Sequence, residues 1–291
     1  MDILPQVLIS GASVGSIYAL VALGLVLLYR TTHILNFAHG DIGVFATFLA
    51  FVMLQSLGLS YGLTLVLTLS AALIIGMVIY TLLVKPAKNQ SHLGLLILTL
   101  GLGLALWGMN ALVFGTDNKA VPPIIPDRPL RLAGAAVSQL SLFTALFGVV
   151  LMTVLWALLR FTKLGLVMRA VAQNQEVAKA LGIPVRQAML ATWAVASVLA
   201  AVAALLFAPL TLLQPAMMLD PLSKGFVAAV LGGMNSLPGA VLGGYVLGMT
   251  EMLVGTYLLL EFKASFAFLV VLLVLLLRPH GLLGRAKVKR V

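Results

Sequence analysis

The sequence predicts an all-α, polytopic transmembrane helix bundle of eight or nine spans, and three observations carry that prediction. Sixty-two per cent of the 291 residues are hydrophobic, and only 9% are Asp, Glu, Lys or Arg. A soluble domain carries about 25% charged residues, because it must solvate its surface. Apolar runs recur along the chain at about 20 residues, the length at which a helix crosses the hydrocarbon core with every backbone group bonded internally. The 18 Lys and Arg fall between and after those runs, so a net charge of +10 reads as a topology signal rather than a nucleic-acid footprint.

Taken in order, the runs are 6–29, 41–58, 61–84, 92–114, 139–160 and 188–213. Met1-Asp2-Ile3 lacks a basic leader region, so the first run is expected to be a retained span. Residues 225–260 are apolar but broken by Gly232-Gly233 and Pro238-Gly239. They read as a half-helix at 225–235 followed by a span at 238–259. A final run at 264–278 closes the bundle, all within one transmembrane domain over 1–291. With nine crossings and the N-terminus outside, thirteen bases fall inside and five (Lys119, Arg128, Arg131, Lys224, Lys263) outside. Eight crossings would put the basic tail outside, so parity favours nine, with a cytoplasmic C-terminus. The absence of cysteine excludes disulfides and thiolate metal sites.

The longest outer connection, 115–138, is a periplasmic loop in this topology. Pro122, Pro123, Pro126 and Pro129 disfavour helix or a central strand there, which leaves a semi-rigid cap or a docking surface. On the inner side, Lys163 to Arg186 is too polar to span. Asn174 is a good N-cap, Glu176 and Lys179 suit the two ends of the dipole, and Gly182 with Pro184 stops the helix. Val177, Ala178 and Leu181 fall on one side at near-helical spacing. The expected element is a two-turn helix beneath the membrane, either coupling to a cytosolic partner or lying in the headgroups.

The stretch MRAVAQNQEVAKALGIPV resembles the cytoplasmic loop of the branched-chain amino-acid ABC permeases. TTHILNFAHGDIG resembles the same family's early motif, and VLGGMNSLPGAVLGGYVLGMTE and RPHGLLG its C-terminal ones. These blocks keep the family's order from residue 31 to 284, and the chain's length resembles the first of its two paralogous membrane subunits. The resemblance implies the membrane subunit of an ABC importer in the bacterial inner membrane. It would pair with a paralogous permease as a heterodimer, two cytosolic ATPases and a periplasmic binding protein. It also implies that Asn174, Glu176, Val177, Ala178, Lys179, Leu181 and Gly182 form the ATPase-coupling helix, and that the cargo is Leu, Ile or Val. No Gly-Lys dipeptide occurs, so no phosphate-binding G-x-x-x-x-G-K-[ST] loop exists and ATP with Mg belongs to partner subunits. No cofactor is expected on this chain.

Pathway candidates are the polar or irregular positions within apolar runs. Asn36 and His39 open the second span, for a role at the pathway, where a zwitterion can use their dipoles, or in packing beneath it. Asp41 beside them reads as a solvated helix-start residue. Gly232, Gly233, Asn235 and Ser236 mark the broken helix, where freed backbone groups often meet substrates. Glu251 sits mid-span, as a pathway residue or a hydrogen-bonded strut, with the strut favoured because a permanent anion repels a substrate carboxylate. Gly11-x-x-x-Gly15, Gly239-x-x-x-Gly243 and Gly244-x-x-x-Gly248 permit close helix packing. Three rival functions stand beside this one. Gly11-Ala12-Ser13-Val14-Gly15 matches a hydrolase signature, but it lies in an apolar helix with no base near Ser13. H-E-x-x-H is absent, and His33 and His39 stand six apart. An ATP-independent channel or proton-coupled carrier would relay through Asp41 or Glu251. A permease of the same family for urea, short amides or other amino acids is the third.

Overall fold

The structure is a computed structural model, and residues 3–89, 91–132, 135–258, 263–278 and 280–284 are described. The basic tail, Arg285, Lys287, Lys289 and Arg290, lies outside the described residues.

Eleven helices follow one another among the described residues. They are α1 (Leu4–Thr32), α2 (His39–Gln55), α3 (Tyr61–Ile79, continued by a π turn to Val84), α4 (His92–Phe114), α5 (Gln139–Phe161), α6 (Lys163–Gln173), α7 (Gln175–Ala180), α8 (Val185–Phe207), α9 (Leu219–Gly232), α10 (Leu237–Tyr257) and α11 (Lys263–Leu277). Six of these stretches are long and apolar enough to cross a membrane, and α2 and the apolar part of α11 are shorter. The chain is thus a helical, polytopic protein.

α1 is the central post. Pro5 sits in its first turn, where the missing N–H costs nothing. Its most apolar stretch is 89% buried, against 22% for α4 and 28% for α5. α1 therefore packs on protein, whereas α4 and α5 present most of their surface outward. Glycine sets how closely the neighbours approach. A Cβ on Gly11 would stand 2.9 Å from the Cα of Met249, and one on Gly15 3.0 Å from that of Tyr245. The first expected small-residue motif therefore meets the third, Gly244 and Gly248, along an α1–α10 seam. The second, Gly239 and Gly243, meets Gly232 and Ala228 of α9 instead. Two glycine rows on one helix thus grip two partners.

At one end of the bundle, the chain between α4 and α5 folds over the helices. It forms a β-hairpin, β1 (Pro129–Leu132) with β2 (Ala135–Ser138). The all-helical expectation missed this element, although the prolines allow it. A two-stranded ribbon has only edge strands, and Pro129 opens the first of them. Tyr61 donates its hydroxyl proton to the Pro122 carbonyl, and Lys119 pairs with Leu213 across an isolated bridge. The cap is thereby tied to α3 and to the segment after α8.

Two boundaries differ from expectation. The half-helix begins at Leu219 rather than 225, because Asp220, Pro221, Ser223 and Lys224 look like a loop in sequence but form its first turns. The segment before the expected short inner helix is itself helical. α6 buries Gly165, Met168 and Val171 at a three-residue spacing against the bundle. After α10 and α11 the chain returns to α9. The N–H groups of Leu282 and Leu283 donate to the carbonyls of Leu231 and Gly232 at 2.8 and 3.1 Å. They satisfy α9 carbonyls that its own backbone leaves free.

Candidate functional site

α7 is a single short helix held at both ends. The side chain of Asn174 accepts hydrogen bonds from the N–H groups of Glu176 and Val177 at 2.9 and 3.1 Å. At the other end Gly182 has φ +75°, its N–H donates to the Lys179 carbonyl, and that of Ile183 to the Ala178 carbonyl. This pair is the Schellman closure that the sequence anticipates from Gly182. The helix does not hang free: the Gln175 amide donates to the Thr31 carbonyl at the end of α1, at 2.7 Å. Its apolar residues split. Ala178 is buried against the bundle, whereas Val177 and Leu181 are 53% and 73% exposed. The expectation that all three share one face is corrected, because a small residue is what lets α7 lie flat on the helices above. Glu176 and Lys179 are exposed beside Val177.

Within the bundle, residues 33–38 are irregular, and Ile34, Asn36 and Ala38 among them are buried. Such backbone is tolerated at membrane depth only inside protein. Asn36 is buried, and its side-chain oxygen accepts the Ala38 N–H at 3.1 Å. His39 is fully buried, with its ring against Gly24 of α1 and no hydrogen-bond partner for either ring nitrogen among the described residues. Asp41 points at Gly103 of α4. The start of α2 also adjoins the start of α9, with Gly40 against Met218 and Leu222 and the Phe37 and Phe226 rings 5.1 Å apart.

Gly232, Gly233, Asn235 and Ser236 form the turn from α9 to α10. Ser236 caps α10 by accepting the Gly239 N–H at 3.1 Å, and Asn235 is exposed. Gly233 has φ +101° and packs on Gly284 and the His280 carbonyl. The 14 residues of α9 rise about 1.5 Å each, so this turn stands about 20 Å from the α2–α9 junction. The pair Asn36 and His39 and the α9–α10 turn thus form two separate groups.

Glu251 belongs to a third. It is buried, its Oε1 lies 2.6 Å from Nζ of Lys224, and its Oε2 accepts the Tyr18 hydroxyl at 2.9 Å. Lys224 also pairs with the largely exposed Asp220 at 2.8 Å and stands 5.5 Å from the centre of the Tyr18 ring. α1, α9 and α10 are thus joined by one charge-assisted network.

The profile of the family described as "Branched-chain amino acid transport system / permease component" matches residues 7–277. The chain belongs to this permease family. It is 30% identical to the high-affinity branched-chain amino acid transport system permease protein LivH of Salmonella typhimurium, over 98% of this chain and 97% of that one. It is 32% identical, at the same coverage, to the corresponding protein BraD of Pseudomonas aeruginosa. A probable LivH of Methanocaldococcus jannaschii is 30% identical over 97% of this chain and 94% of that one. With its apolar helices, the permease is a multi-pass inner-membrane protein.

Sequence reasoning assigned Lys224 to an outer loop, but the permease buries it at 6% exposure. The available signal was charge pairing: a mid-membrane acid requires a partner, and Lys224 is the base that adjoins the broken helix. Tyr18 carried no such signal. Nor did Asn110 of α4, which is fully buried with no partner for its amide among the described residues.

Proposed function

We propose that this permease is the transmembrane subunit of an ABC importer for branched-chain amino acids, driven by ATP hydrolysed on separate cytosolic subunits. Family membership supports the transport role. The observation that carries the coupling role is α7: a helix fixed at both ends and tied by Gln175 to the end of α1, with Val177 and Leu181 turned outward. A helix held this way transmits a push from a docked ATPase to α1 rather than absorbing it. In this reading Asn174 and Gly182 set the helix's length, Ala178 seats it, and Val177, Leu181, Glu176 and Lys179 meet the ATPase. The nine-crossing topology follows the same reading. The N-terminus and the 115–138 cap lie outside, facing a periplasmic binding protein. α6, α7 and the C-terminus face the cytoplasmic side, and a paralogous permease completes a heterodimer.

The proposed pathway starts at the α2–α9 junction with Asn36 and His39 and ends near Gly232, Gly233, Asn235 and Ser236. Glu251, held by Lys224 and Tyr18, acts as a strut beside it. Helix starts that adjoin inside a bundle offer N–H groups to a substrate carboxylate, and buried surroundings suit an aliphatic side chain. No catalytic role is proposed for Ser13.

Reconstituted uptake of labelled leucine tests the proposal. Transport must require the ATPase subunits and internal ATP. Uptake by this chain without them would establish the channel or proton-coupled carrier instead, and uptake of urea or short amides in preference to leucine would reassign the cargo. For the coupling role, Val177→Cys in this cysteine-free chain must crosslink to the ATPase. Full ATP-driven uptake with a bulky adduct at that position would refute it.

A further inference from the structure

The corner where α5 turns into α6 carries a cluster of cations that the transport reading does not use. Arg160 lies in the last turn of α5 and Lys163 begins α6, and both are exposed. Arg169, two turns along α6, donates from Nη1 to the Arg160 carbonyl at 3.3 Å. That bond folds α6 back so that the third cation lies beside the first. The turn is tight by composition: Thr162 caps α6 by accepting the Gly165 N–H at 3.1 Å, and Gly165 lies directly on the backbone of Leu159. None of the three bases forms an ion pair with a carboxylate among the described residues, where the only ion pairs are those of Lys224.

The apolar surroundings are as specific as the charge. Trp156 and Phe161 are 53% and 74% exposed and meet edge to face at 5.6 Å. Leu164 and Leu166 of α6 are exposed as well. Aromatic rings at a span's end settle at headgroup level, and an amphipathic helix beside them lies in the plane of the interface with its cations toward phosphate. Three unpaired cations above an exposed apolar shelf complement a molecule with an anionic head and acyl tails. A soluble protein partner would leave that shelf either bare or buried against charge.

We infer that Arg160, Lys163 and Arg169 form a binding site for the headgroup of an anionic phospholipid, with Trp156, Phe161 and Leu164 against its acyl chains. The leaflet, the inner one, rests on the topology proposed above. Bound there, the lipid steadies the α5–α6 turn, and through α6 the helix α7 that follows it.

The test places the full chain in nanodiscs containing both phosphatidylglycerol and phosphatidylcholine and counts retained lipids by native mass spectrometry. The native chain is expected to retain phosphatidylglycerol several-fold over phosphatidylcholine. The variant Arg160→Gln/Lys163→Gln/Arg169→Gln should lose that preference, and Arg160→Lys/Arg169→Lys should keep it. Should the triple variant fail to fold, the exposed single changes Arg160→Gln and Lys163→Gln carry the test, each lowering the preference. An unchanged preference in the variants would overturn the site. So would displacement of the lipid by inorganic phosphate, or an intact preference accompanied by loss of the co-purifying ATPase. An impermeant maleimide must label Lys163→Cys from the cytoplasmic side only. Labelling from the other side would overturn the topology and the leaflet, whereas correct labelling with no lipid preference would overturn the headgroup site alone.

Discussion

Replacing Glu251 by leucine strands a buried cation, and the size of the effect follows from its contacts. Lys224 sits 2.6 Å from the Glu251 carboxylate. At an effective dielectric of 20, that separation corresponds to about 6 kcal/mol of attraction before desolvation is counted. Removing one member of a buried pair costs about 3–5 kcal/mol. The lower end applies here, because Asp220 still holds Lys224 at 2.8 Å. The Tyr18 hydroxyl also loses its acceptor, adding roughly 1 kcal/mol. Glu251→Leu should therefore destabilise the permease by about 4 kcal/mol. Glu251→Gln, which keeps an acceptor for one donor, should cost about half of that and retain most transport. Lys224→Met/Glu251→Leu removes both charges and should recover about 2–3 kcal/mol relative to the sum of the single changes. Unfolding by detergent titration in bicelles measures the native permease, these three variants and Lys224→Met alone, with uptake measured beside it. If the two single changes add within about 0.5 kcal/mol, the two side chains are not a compensated pair. Equal loss of transport by the Gln and Leu variants with assembly intact would refute the strut and make the carboxylate part of the pathway.

Other outcomes follow from the same geometry. Gly24→Ala drives a Cβ into the His39 ring and should cost about 1–3 kcal/mol by overpacking. Gly24→Ala/His39→Ala should regain most of it in the same unfolding assay. Asn174→Ala removes a cap worth about 1 kcal/mol from a six-residue helix, so ATP-driven uptake should fall while the complex still co-purifies. Gly182→Ala places a Cβ at φ +75°, at about 1–2 kcal/mol, and should lower uptake in the same way. Gly284→Ala pushes against the His280 carbonyl and should expose the α9 end to faster hydrogen exchange at Leu282 and Leu283.

Much of this architecture was legible because lipid imposes one rule on every span. The runs starting at 61, 92 and 139 agree closely with α3, α4 and α5, since apolar length alone defines such helices. Asn174 and Gly182 were legible for a different reason: caps act through neighbouring backbone and need no knowledge of the fold. The start of α9 was not legible. Asp220 and Lys224 look like solvated loop residues until Glu251, on another helix, is brought beside them. The β-hairpin was hidden because its pairing is a property of two segments, whereas proline content is a property of one. Ala178 was misjudged by periodicity, which reports a face of a helix but not which neighbour that face will meet.

The bonds from Leu282 and Leu283 to the last carbonyls of α9 also order events in time. α9 emerges from the ribosome before α10 and α11, and chains fold broadly from the N-terminal side as they are made. Until the residues that follow α11 arrive, the carbonyls of Leu231 and Gly232 lack the donors they meet in the finished protein. A newly made permease would thus carry an unfinished half-helix in the membrane, completed only by a stretch translated after α11. Damage to that stretch would then be felt far from where it lies in the chain, as a helix that was inserted but never locked.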